Sequence, residues 1–253
     1  HDGCVNSMSK DVVVHEVPEI ELVISNSCFG NENIFTSNVI LDDGHISEWN
    51  WNFGDGNNLS SGSQVGYIYD NYGKFYVILD VVSDFGCSNK KIDTAIVYEN
   101  PIVNFSAENI CVGDLSQFTD QSEINQSQIS KYLWDFGDDS FSELKNPIHE
   151  FALSGKYLVS LLVTSKENCS SYLDRDIIIY DLPLVDFTIE DYLCEDEYIL
   201  FSDKTISQLN IESWEWDFGD HTNSDSKNPK NRYKHPGKYN VSLNVISQFG
   251  CRD

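Results

Sequence analysis

Three copies of a short acidic and aromatic string are the first candidates for chemistry in this sequence. They are Trp51–Asp55, Trp134–Asp138 and Trp216–Asp220, and each ends in Phe-Gly-Asp. The carboxylates Asp217 and Asp220 are of the residue type that general acid and base catalysis uses. Such catalysis also needs a cleft and a perturbed pair of pKa values. The repetition of the string in three places instead favours a role in the framework of the fold.

A second candidate is the run Asp42-Asp43-Gly44, which precedes the first of these strings. Carboxylate oxygens and a glycine turn are suited to calcium. The equivalent positions later in the chain, 125–128 and 208–210, carry no carboxylate. We therefore expect no cofactor, with one calcium site near Asp42 and Asp43 as the single exception to test; a solvated turn is the alternative.

The remaining candidate residues form no catalytic set. The six histidines show no His-x-x-x-His spacing, and the chain has no Gly-x-Ser-x-Gly string, phosphate-binding loop or dinucleotide-binding fingerprint. Tyr67, Tyr69 and Tyr72 form either an aromatic binding patch or, as we expect for Tyr69, part of the core. These observations predict that the chain is not an enzyme.

The charge of the chain limits its class of partner. It has 16 basic and 41 acidic residues and a formal net charge of −25, which repels nucleic acid and anionic membrane surfaces. No run approaches the roughly eighteen consecutive apolar residues that cross a bilayer, so we expect no direct membrane insertion in this stretch. The sequence starts at His1 without an apolar leader, and we expect an excerpt whose export signal and anchor lie elsewhere.

Self-similarity organises the whole chain. The three Trp strings are 83 and 82 residues apart, and Pro18, Pro101 and Pro183 keep the same spacing. This period predicts three copies of one module. The copies are module 1 (residues 18–100), module 2 (101–182) and module 3 (183–253). Residues 1–17 align with the end of a module, so we assign them to the last strand of a preceding copy and expect module 3 to lack its last strand.

Within each module the residue pattern is typical of short strands. Tyr157, Val159 and Leu161 share one parity, which is the pattern of a strand with one buried face. About seven such strands per module, with turn signals between them and no helical periodicity, predict an all-β fold of immunoglobulin-like sandwiches. The aromatic residues of the Trp strings also share one parity, and we expect them to fill the cores. They are Trp51, Phe53, Trp134, Phe136, Trp216 and Phe218.

The order of these motifs resembles the PKD (polycystic kidney disease) domain. In modules 2 and 3 the Trp string is followed by Asn-Pro, at Asn146 and Asn228, and then by Gly-Lys-Tyr before a long alternating strand. The resemblance covers all three modules, although module 1 has Asn52 for the first Asp and no Asn-Pro pair. It implies tandem sandwiches arranged end to end. With its cysteine placement, the chain is similar to PKD arrays of large secreted or surface proteins of Bacteroidetes-type bacteria, which include gliding and adhesion proteins and often use type IX secretion.

The resemblance implies an extracellular location at the bacterial cell surface and two candidate functions. The first is a stiff spacer or adhesive stalk, with the neighbouring PKD modules and an unknown surface ligand, glycan or protein as partners. Linkers as short as Tyr180–Pro183 favour it and predict an elongated rod, because they leave no flexible tether. The second is an accessory region of a secreted hydrolase that engages an insoluble polymer such as chitin or collagen.

The cysteines follow the same period in two series. Those of the first series precede the second strand of each module, and those of the second follow the sixth strand. The first series is Cys28, Cys111 and Cys194, and the second is Cys4, Cys87, Cys169 and Cys251. An exported chain with two cysteines per module is expected to form disulfides.

The fold topology argues against pairing within a module. Cys111 lies in the loop between the first two strands, and Cys169 lies at the opposite end of the sandwich. A strand of seven or eight residues separates these ends by about 25 Å, whereas a disulfide needs Cα atoms within about 7 Å. In a head-to-tail array the two ends of neighbouring modules meet. We therefore hypothesise the bonds Cys28–Cys169 and Cys111–Cys251, which leave Cys4, Cys87 and Cys194 without partners in this chain. The alternative set is Cys28–Cys87, Cys111–Cys169 and Cys194–Cys251.

Overall fold

The computed structural model describes residues 6–189 and 194–253. These residues form 23 strands and no helix, which confirms the all-β prediction. Within this part of the chain there is accordingly no helix with the length and apolarity needed to cross a bilayer.

Module 1 consists of eight strands in two sheets. The strands are β1 (Glu19–Ile24), β2 (Ser27–Cys28), β3 (Asn33–Ile40), β4 (Ile46–Asn52), β5 (Asn58–Ser61), β6 (Gln64–Tyr67), β7 (Gly73–Ser83) and β8 (Ser88–Tyr98). One sheet has the order β1-β3-β6 and the other the order β2-β8-β7-β4-β5. All neighbours are antiparallel except β2 and β8, which run parallel.

Modules 2 and 3 repeat this arrangement with shorter strands. Module 2 has β9 (Phe105–Ser106), β10 (Ile110–Cys111), β11 (Leu115–Gln117), β12 (Thr119–Asp120), β13 (Ile129–Asp135), β14 (Phe141–Ser142), β15 (Ile148–Glu150), β16 (Gly155–Ser165) and β17 (Ser170–Tyr180). Module 3 has β18 (Phe187–Ile189), β19 (Tyr198–Asp203), β20 (Ile211–Asp217), β21 (Asn223–Ser224), β22 (Lys230–Arg232) and β23 (Ser242–Ser247). The larger sheets have the orders β10-β17-β16-β13-β14 and β21-β20-β23.

Alternating burial explains why these segments are strands. In β7 the residues Val77, Leu79 and Val81 are fully buried, whereas the side chains between them are only half-buried. One face of the sheet therefore closes a core, and the other meets solvent. The aromatic residues of the Trp strings lie in the cores, each with at most 2% of its surface exposed: Trp51, Phe53, Trp134, Phe136, Trp216 and Phe218.

The structure divides into two compact units that do not coincide with the modules. The first unit contains the chain up to Pro101 together with Ile124–Ile129 and Ser165–Cys169, which are two loops of module 2. The second unit contains Ile102–Glu123, Ser130–Thr164 and Ser170–Asp253.

Residues 6–18 differ from the sequence-based expectation. We assigned residues 1–17 to the last strand of a preceding module, but positions 6–18 form no strand in the structure. A strand requires a neighbour for its backbone N–H and C=O groups. Within the described residues, none of the sheets includes this segment.

The glycine of each Trp string is required by the packing of the next long strand. Gly54, Gly137 and Gly219 have φ values of 81°, 77° and 73°, in the left-handed region that favours glycine. A Cβ at Gly54 would lie 2.5 Å from the carbonyl oxygen of Tyr76, a backbone atom of β7 that cannot rotate away. The turn therefore excludes a side chain for two separate reasons.

We predict that Gly54→Ala destabilises the protein more than Gly86→Ala does. Gly86 has nearly the same φ, 79°, but no atom lies within 4 Å of a Cβ built there. Left-handed strain alone costs about 1–2 kcal/mol, and the overlap with Tyr76 adds about 1–3 kcal/mol. Urea unfolding midpoints at an unchanged m-value measure the difference. Equal midpoints for the two variants would contradict the role given to the β7 backbone.

Candidate functional site

The first disulfide joins module 1 to a turn of module 2. Cys28 ends β2, which lies parallel to the last strand of its own module and places Cys28 opposite Tyr98. Cys169 lies in the turn after β16. The two sulfur atoms are 2.00 Å apart and the two Cα atoms 5.5 Å apart, within the usual disulfide range.

The second disulfide repeats this arrangement between modules 2 and 3. Cys111 ends β10 opposite Tyr180 of β17, and its sulfur lies 2.01 Å from that of Cys251. Both bonds are the pairs that the topological argument predicts, and the within-module alternative Cys111–Cys169 is not formed. Cys87 and Cys194, which we also considered as disulfide residues, have free thiols. Cys4 lies outside the described residues.

A tight turn holds the second cysteine of each module. We call Ser83–Cys87, Ser165–Cys169 and Ser247–Cys251 the Ser–Cys turns. In all three the serine N–H donates to the cysteine carbonyl at 2.8 Å, and the cysteine N–H donates to the serine hydroxyl at 3.2 Å. The sulfur is therefore presented by the same local structure whether or not it is bonded.

A buried carboxylate fixes the linker after module 1. Glu99 is 7% exposed and accepts hydrogen bonds from the backbone N–H groups of Asn125 at 2.9 Å and Gln126 at 3.0 Å, and from the Asn125 side chain at 2.9 Å. Burial opposes ionisation of Glu99, but these hydrogen bonds to the charged form outweigh it and lower its pKa. Glu99 therefore acts as a charged clamp between the linker and the loop 124–129.

The segment before module 1 makes the equivalent contacts. Glu16, which is 83 positions before Glu99, accepts a hydrogen bond from the Asp42 backbone N–H at 3.1 Å. The His15 ring stacks on Phe85 of the first Ser–Cys turn, with ring centroids 3.7 Å apart. At the end of module 2, Tyr180 stacks in the same way on Phe249, with centroids 4.2 Å apart. Contacts of the linker residues with the adjoining loops are thus a periodic feature of the chain.

The carboxylates of the Trp strings are turn residues. Asp55, Asp138 and Asp220 each accept the backbone N–H two residues ahead, at 2.9–3.1 Å. Each also pairs with one side chain of the neighbouring strand or loop: Tyr67 at 2.7 Å, His149 at 2.7 Å and Asn231 at 3.0 Å. Burial opposes ionisation of the three carboxylates, and the hydrogen bonds nevertheless lower their pKa values.

Asp217 is likewise engaged with the backbone, so the acid and base interpretation of this string gains no geometric support. Asp217 accepts the Gly219 N–H at 2.9 Å, and its equivalents Asp135 and Asn52 do the same. The replacement of Asp by Asn52 in module 1 therefore keeps the turn.

The three tyrosines of module 1 form no common patch. Tyr69 is 2% exposed and donates its hydroxyl to the Phe53 carbonyl at 3.0 Å. The Tyr67 ring stacks on Phe53 at 3.9 Å, and its hydroxyl donates to Asp55. Tyr72 is 40% exposed and lies edge-on to Phe29.

The proposed calcium ligands are engaged differently from a metal site. Asp42 and Asp43 are exposed, and the Asp43 carboxylate lies 3.0 Å from the His15 ring nitrogen. Among residues 6–189 and 194–253, no three or more His, Cys, Asp or Glu side chains are grouped so as to hold a metal ion. The geometry therefore offers no ligand set around this pair.

Sequence reasoning missed the noncovalent parts of the junctions. Glu99, the serines of the Ser–Cys turns and the His15–Phe85 contact were not singled out. The signal was present, because Glu16 and Glu99 keep the 83-residue period and Ser83, Ser165 and Ser247 stand four residues before their cysteines. An acid or a serine at a fixed position in an acidic chain is easily overlooked until its partner is known.

Comparison with known proteins identifies the family. The PKD domain model matches residues 15–97, 98–179 and 181–253. The chain belongs to the PKD domain family. Domains of this family are non-catalytic modules with an immunoglobulin-like sandwich, as seen here in tandem.

Curated relatives share single modules with this chain. A microbial collagenase of Vibrio alginolyticus is 33% identical over 69 residues, which are 27% of this chain and 8% of that protein. Collagenase ColQ1 of Bacillus cereus is 34% identical over 83 residues, which are 32% of this chain and 9% of that protein. The chain thus spans less than a tenth of the length of either collagenase.

Solved PKD domains also match one module each. The PKD1 domain of Vibrio anguillarum Epp is 23% identical with a TM-score of 0.31, covering 32% of this chain and 95% of that domain. The PKD1 domain of the Vibrio cholerae metalloprotease PrtV is 25% identical with a TM-score of 0.30, covering 32% of this chain and 96% of that domain.

We predict that Glu99→Gln weakens the first junction in a pH-dependent way. Loss of the charged hydrogen bonds costs about 2 kcal/mol, which lowers the hydrogen-exchange protection of the Asn125 and Gln126 amides by about 30-fold at neutral pH. Because the folded-state pKa lies below the ordinary 4.5, the contribution of Glu99 is complete above about pH 4.5 and is lost as the pH falls through the folded-state value. The difference between wild type and variant should shrink accordingly.

Glu19→Gln is the matched control for this variant, because Glu19 is exposed at the start of β1 and the charge change is the same. Protection of the Asn125 and Gln126 amides should stay at the wild-type level in this control. Unchanged protection in Glu99→Gln would mean that the carboxylate does not hold the loop.

Proposed function

We propose that this chain is a non-catalytic, covalently braced spacer region of a large extracellular protein. The observation that carries the proposal is the pair of disulfides Cys28–Cys169 and Cys111–Cys251, each of which links consecutive modules. A module that needed covalent help only for its own stability would be bonded within itself. Bonds between modules instead restrict movement of one module against the next.

The noncovalent contacts of the linkers support the same role. Glu99 clamps one linker, Tyr180 stacks beside the other, and Asn100 donates its side-chain N–H to the Phe29 carbonyl at 2.9 Å. A linker held by a charged clamp, ring stacking and a nearby disulfide cannot act as a flexible tether. We propose that the array is an elongated, stiff rod.

An extracellular location fits the covalent chemistry. Disulfides persist in oxidising compartments, and the family occurs in bacterial collagenases and proteases. We propose that the parent protein is a large secreted or surface protein of a Bacteroidetes-type bacterium, exported by type IX secretion, in which the array holds an adhesive or gliding region away from the cell. Its partners in this role are the neighbouring PKD modules and a surface glycan or protein.

Single-molecule stretching tests the bracing. In the oxidised protein the shortest covalent path from Cys28 to Cys251 runs through Cys169 and Cys111 and includes only the stretch between residues 111 and 169. This stretch extends to about 200 Å, whereas the unbonded chain from residue 28 to 251 extends to about 780 Å. We predict that a reductant lengthens the fully stretched molecule by about 580 Å.

The combined variant Cys28→Ser and Cys111→Ser is the control, and it should reach the long extension without reductant. Equal extension of the wild-type protein with and without reductant would refute the bracing role.

The second candidate is an accessory region of a secreted hydrolase, which is supported by the similarity of single modules to parts of collagenases. In that case the folded chain should co-sediment with insoluble collagen or chitin in a saturable manner. The urea-unfolded chain and an unrelated polymer such as cellulose are the controls. Recovery of the whole chain in the supernatant with both collagen and chitin would exclude this candidate and leave the spacer role.

A further inference from the structure

The segment before module 1 exposes apolar residues at positions that are buried elsewhere. Val12 and Val14 are 83% and 88% exposed. The residues at the equivalent positions in the last strands of modules 1 and 2 are at most 2% exposed: Ala95 and Val97 in β8, and Ile177 and Ile179 in β17. The segment thus has the sequence of a last strand but lacks the core against which such a strand packs.

Module 3 contains a groove at the complementary place. A groove of about 290 Å³ is lined by Cys194, Ile199, Phe201, Tyr239 and Val241, among others. In module 2 the last-strand residues Ile177 and Ile179 lie opposite Tyr157 and Gly155. The equivalents of these two residues in module 3, Tyr239 and Gly237, both line the groove.

The edge of module 3 next to this groove is unpaired. The long strands β7 and β16 begin at Gly73 and Gly155 and pair with the last strand along their length. Their counterpart β23 begins only at Ser242, so Gly237–Val241 form no strand. Val241 is only half-buried, whereas the equivalent Val77 and Val159 are fully buried. An added strand would bury this side chain and satisfy the backbone.

The free thiols continue the disulfide series. Cys87 lies in the same Ser–Cys turn as the bonded Cys169 and Cys251. Cys194 is the counterpart of the bonded Cys28 and Cys111 and is exposed beside the groove. The two thiols are therefore the two halves of one more bond of the same type.

A backbone acceptor completes the match. The carbonyls of Tyr98 and Tyr180 accept the N–H groups of Phe29 and Val112, the residues that follow the bonded cysteines. The equivalent carbonyl of His15 instead faces the Cys87 thiol at 3.9 Å. It is placed to accept the N–H of the residue that follows Cys194.

We propose that residues 9–15 of one copy of this chain add as the last strand to module 3 of a second copy, and that Cys87 and Cys194 then form a disulfide across the contact. Val12 and Val14 fill the groove, and the strand pairs with Gly237–Val241. The contact is heterologous, so it extends head to tail rather than closing a two-fold dimer. This self-association goes beyond the proposed spacer role, which holds for the single chain as well.

The covalent step is a thiol–disulfide exchange with an oxidised small-molecule disulfide such as glutathione disulfide. One protein thiolate attacks that disulfide and releases one small thiol. The second protein thiolate then attacks the mixed disulfide, forms the Cys87–Cys194 bond and releases the other small thiol. The two protons leave the protein thiols, and the two electrons reside in the two small thiols.

Sedimentation velocity of the chain tests the noncovalent part. Every protein contains Cys4→Ser, so that Cys87 and Cys194 are its two thiols. With reductant too mild to open the two internal bonds, we expect concentration-dependent association. Val12→Asp should weaken this association by at least about tenfold, because it places a charge in the groove. Val13→Asp is the matched control: it has the same charge change, but its side chain points to the other face, and it should associate as the parent does.

Mixing two single-thiol variants tests the covalent part. Cys194→Ser keeps only the Cys87 thiol, and Cys87→Ser keeps only the Cys194 thiol. With glutathione disulfide, the mixture should give a covalent dimer that stops at two chains, with Cys87 and Cys194 in one cross-linked peptide, at least about tenfold faster than either variant alone.

Three results would overturn the proposal. They are a monomer at every concentration, an equal effect of Val12→Asp and Val13→Asp, and a Cys87–Cys194 bond that forms within one monomeric chain. None of them affects the stretching result for Cys28–Cys169 and Cys111–Cys251, so failure of the self-association and failure of the spacer proposal are distinguishable.

Discussion

Every module is organised by one buried indole N–H that must find an acceptor inside an apolar core. Trp51, Trp134 and Trp216 are almost fully buried, and each donates to a backbone carbonyl ten or eleven residues ahead at 2.9–3.1 Å. An unsatisfied donor at this depth would cost about 1–3 kcal/mol. The chain must therefore turn back within that distance, and the Phe-Gly-Asp turn makes this reversal. The approach of the next long strand, the position of the last strand and hence of the cysteines all follow from it.

The repeat made most of this architecture predictable. An alternating strand pattern and a Trp string at a fixed period identify the strands, the cores and the module length. The disulfide argument also needed only topology and distance, because the A–B loop and the turn after the sixth strand lie at opposite ends of a sandwich of known height. Asn52 shows why local departures did little harm: the amide oxygen supplies the same acceptor to Gly54 as the aspartates of the other modules supply.

The parts that could not be predicted depend on which loops come together. Glu99 is one of 41 acidic residues, and nothing in its type distinguishes a buried clamp from a solvated charge. Only the structure places it under the N–H groups of Asn125 and Gln126. The state of residues 6–18 was misjudged for a similar reason, since a strand-like sequence becomes a strand only when a neighbouring edge is available. The acidic pair Asp42 and Asp43 illustrates the reverse case, in which residue types suited to a metal meet a histidine ring instead.

The two disulfides overlap along the chain, because Cys111 lies inside the span from Cys28 to Cys169. A single backbone cut anywhere between Cys28 and Cys251 therefore leaves both fragments attached. The first bond bridges a cut before Cys111, the second bridges a cut after Cys169, and both bridge a cut between these residues. A host or bacterial protease that nicks one exposed loop thus releases neither end of the chain. Shedding requires at least two cuts or a reducing environment.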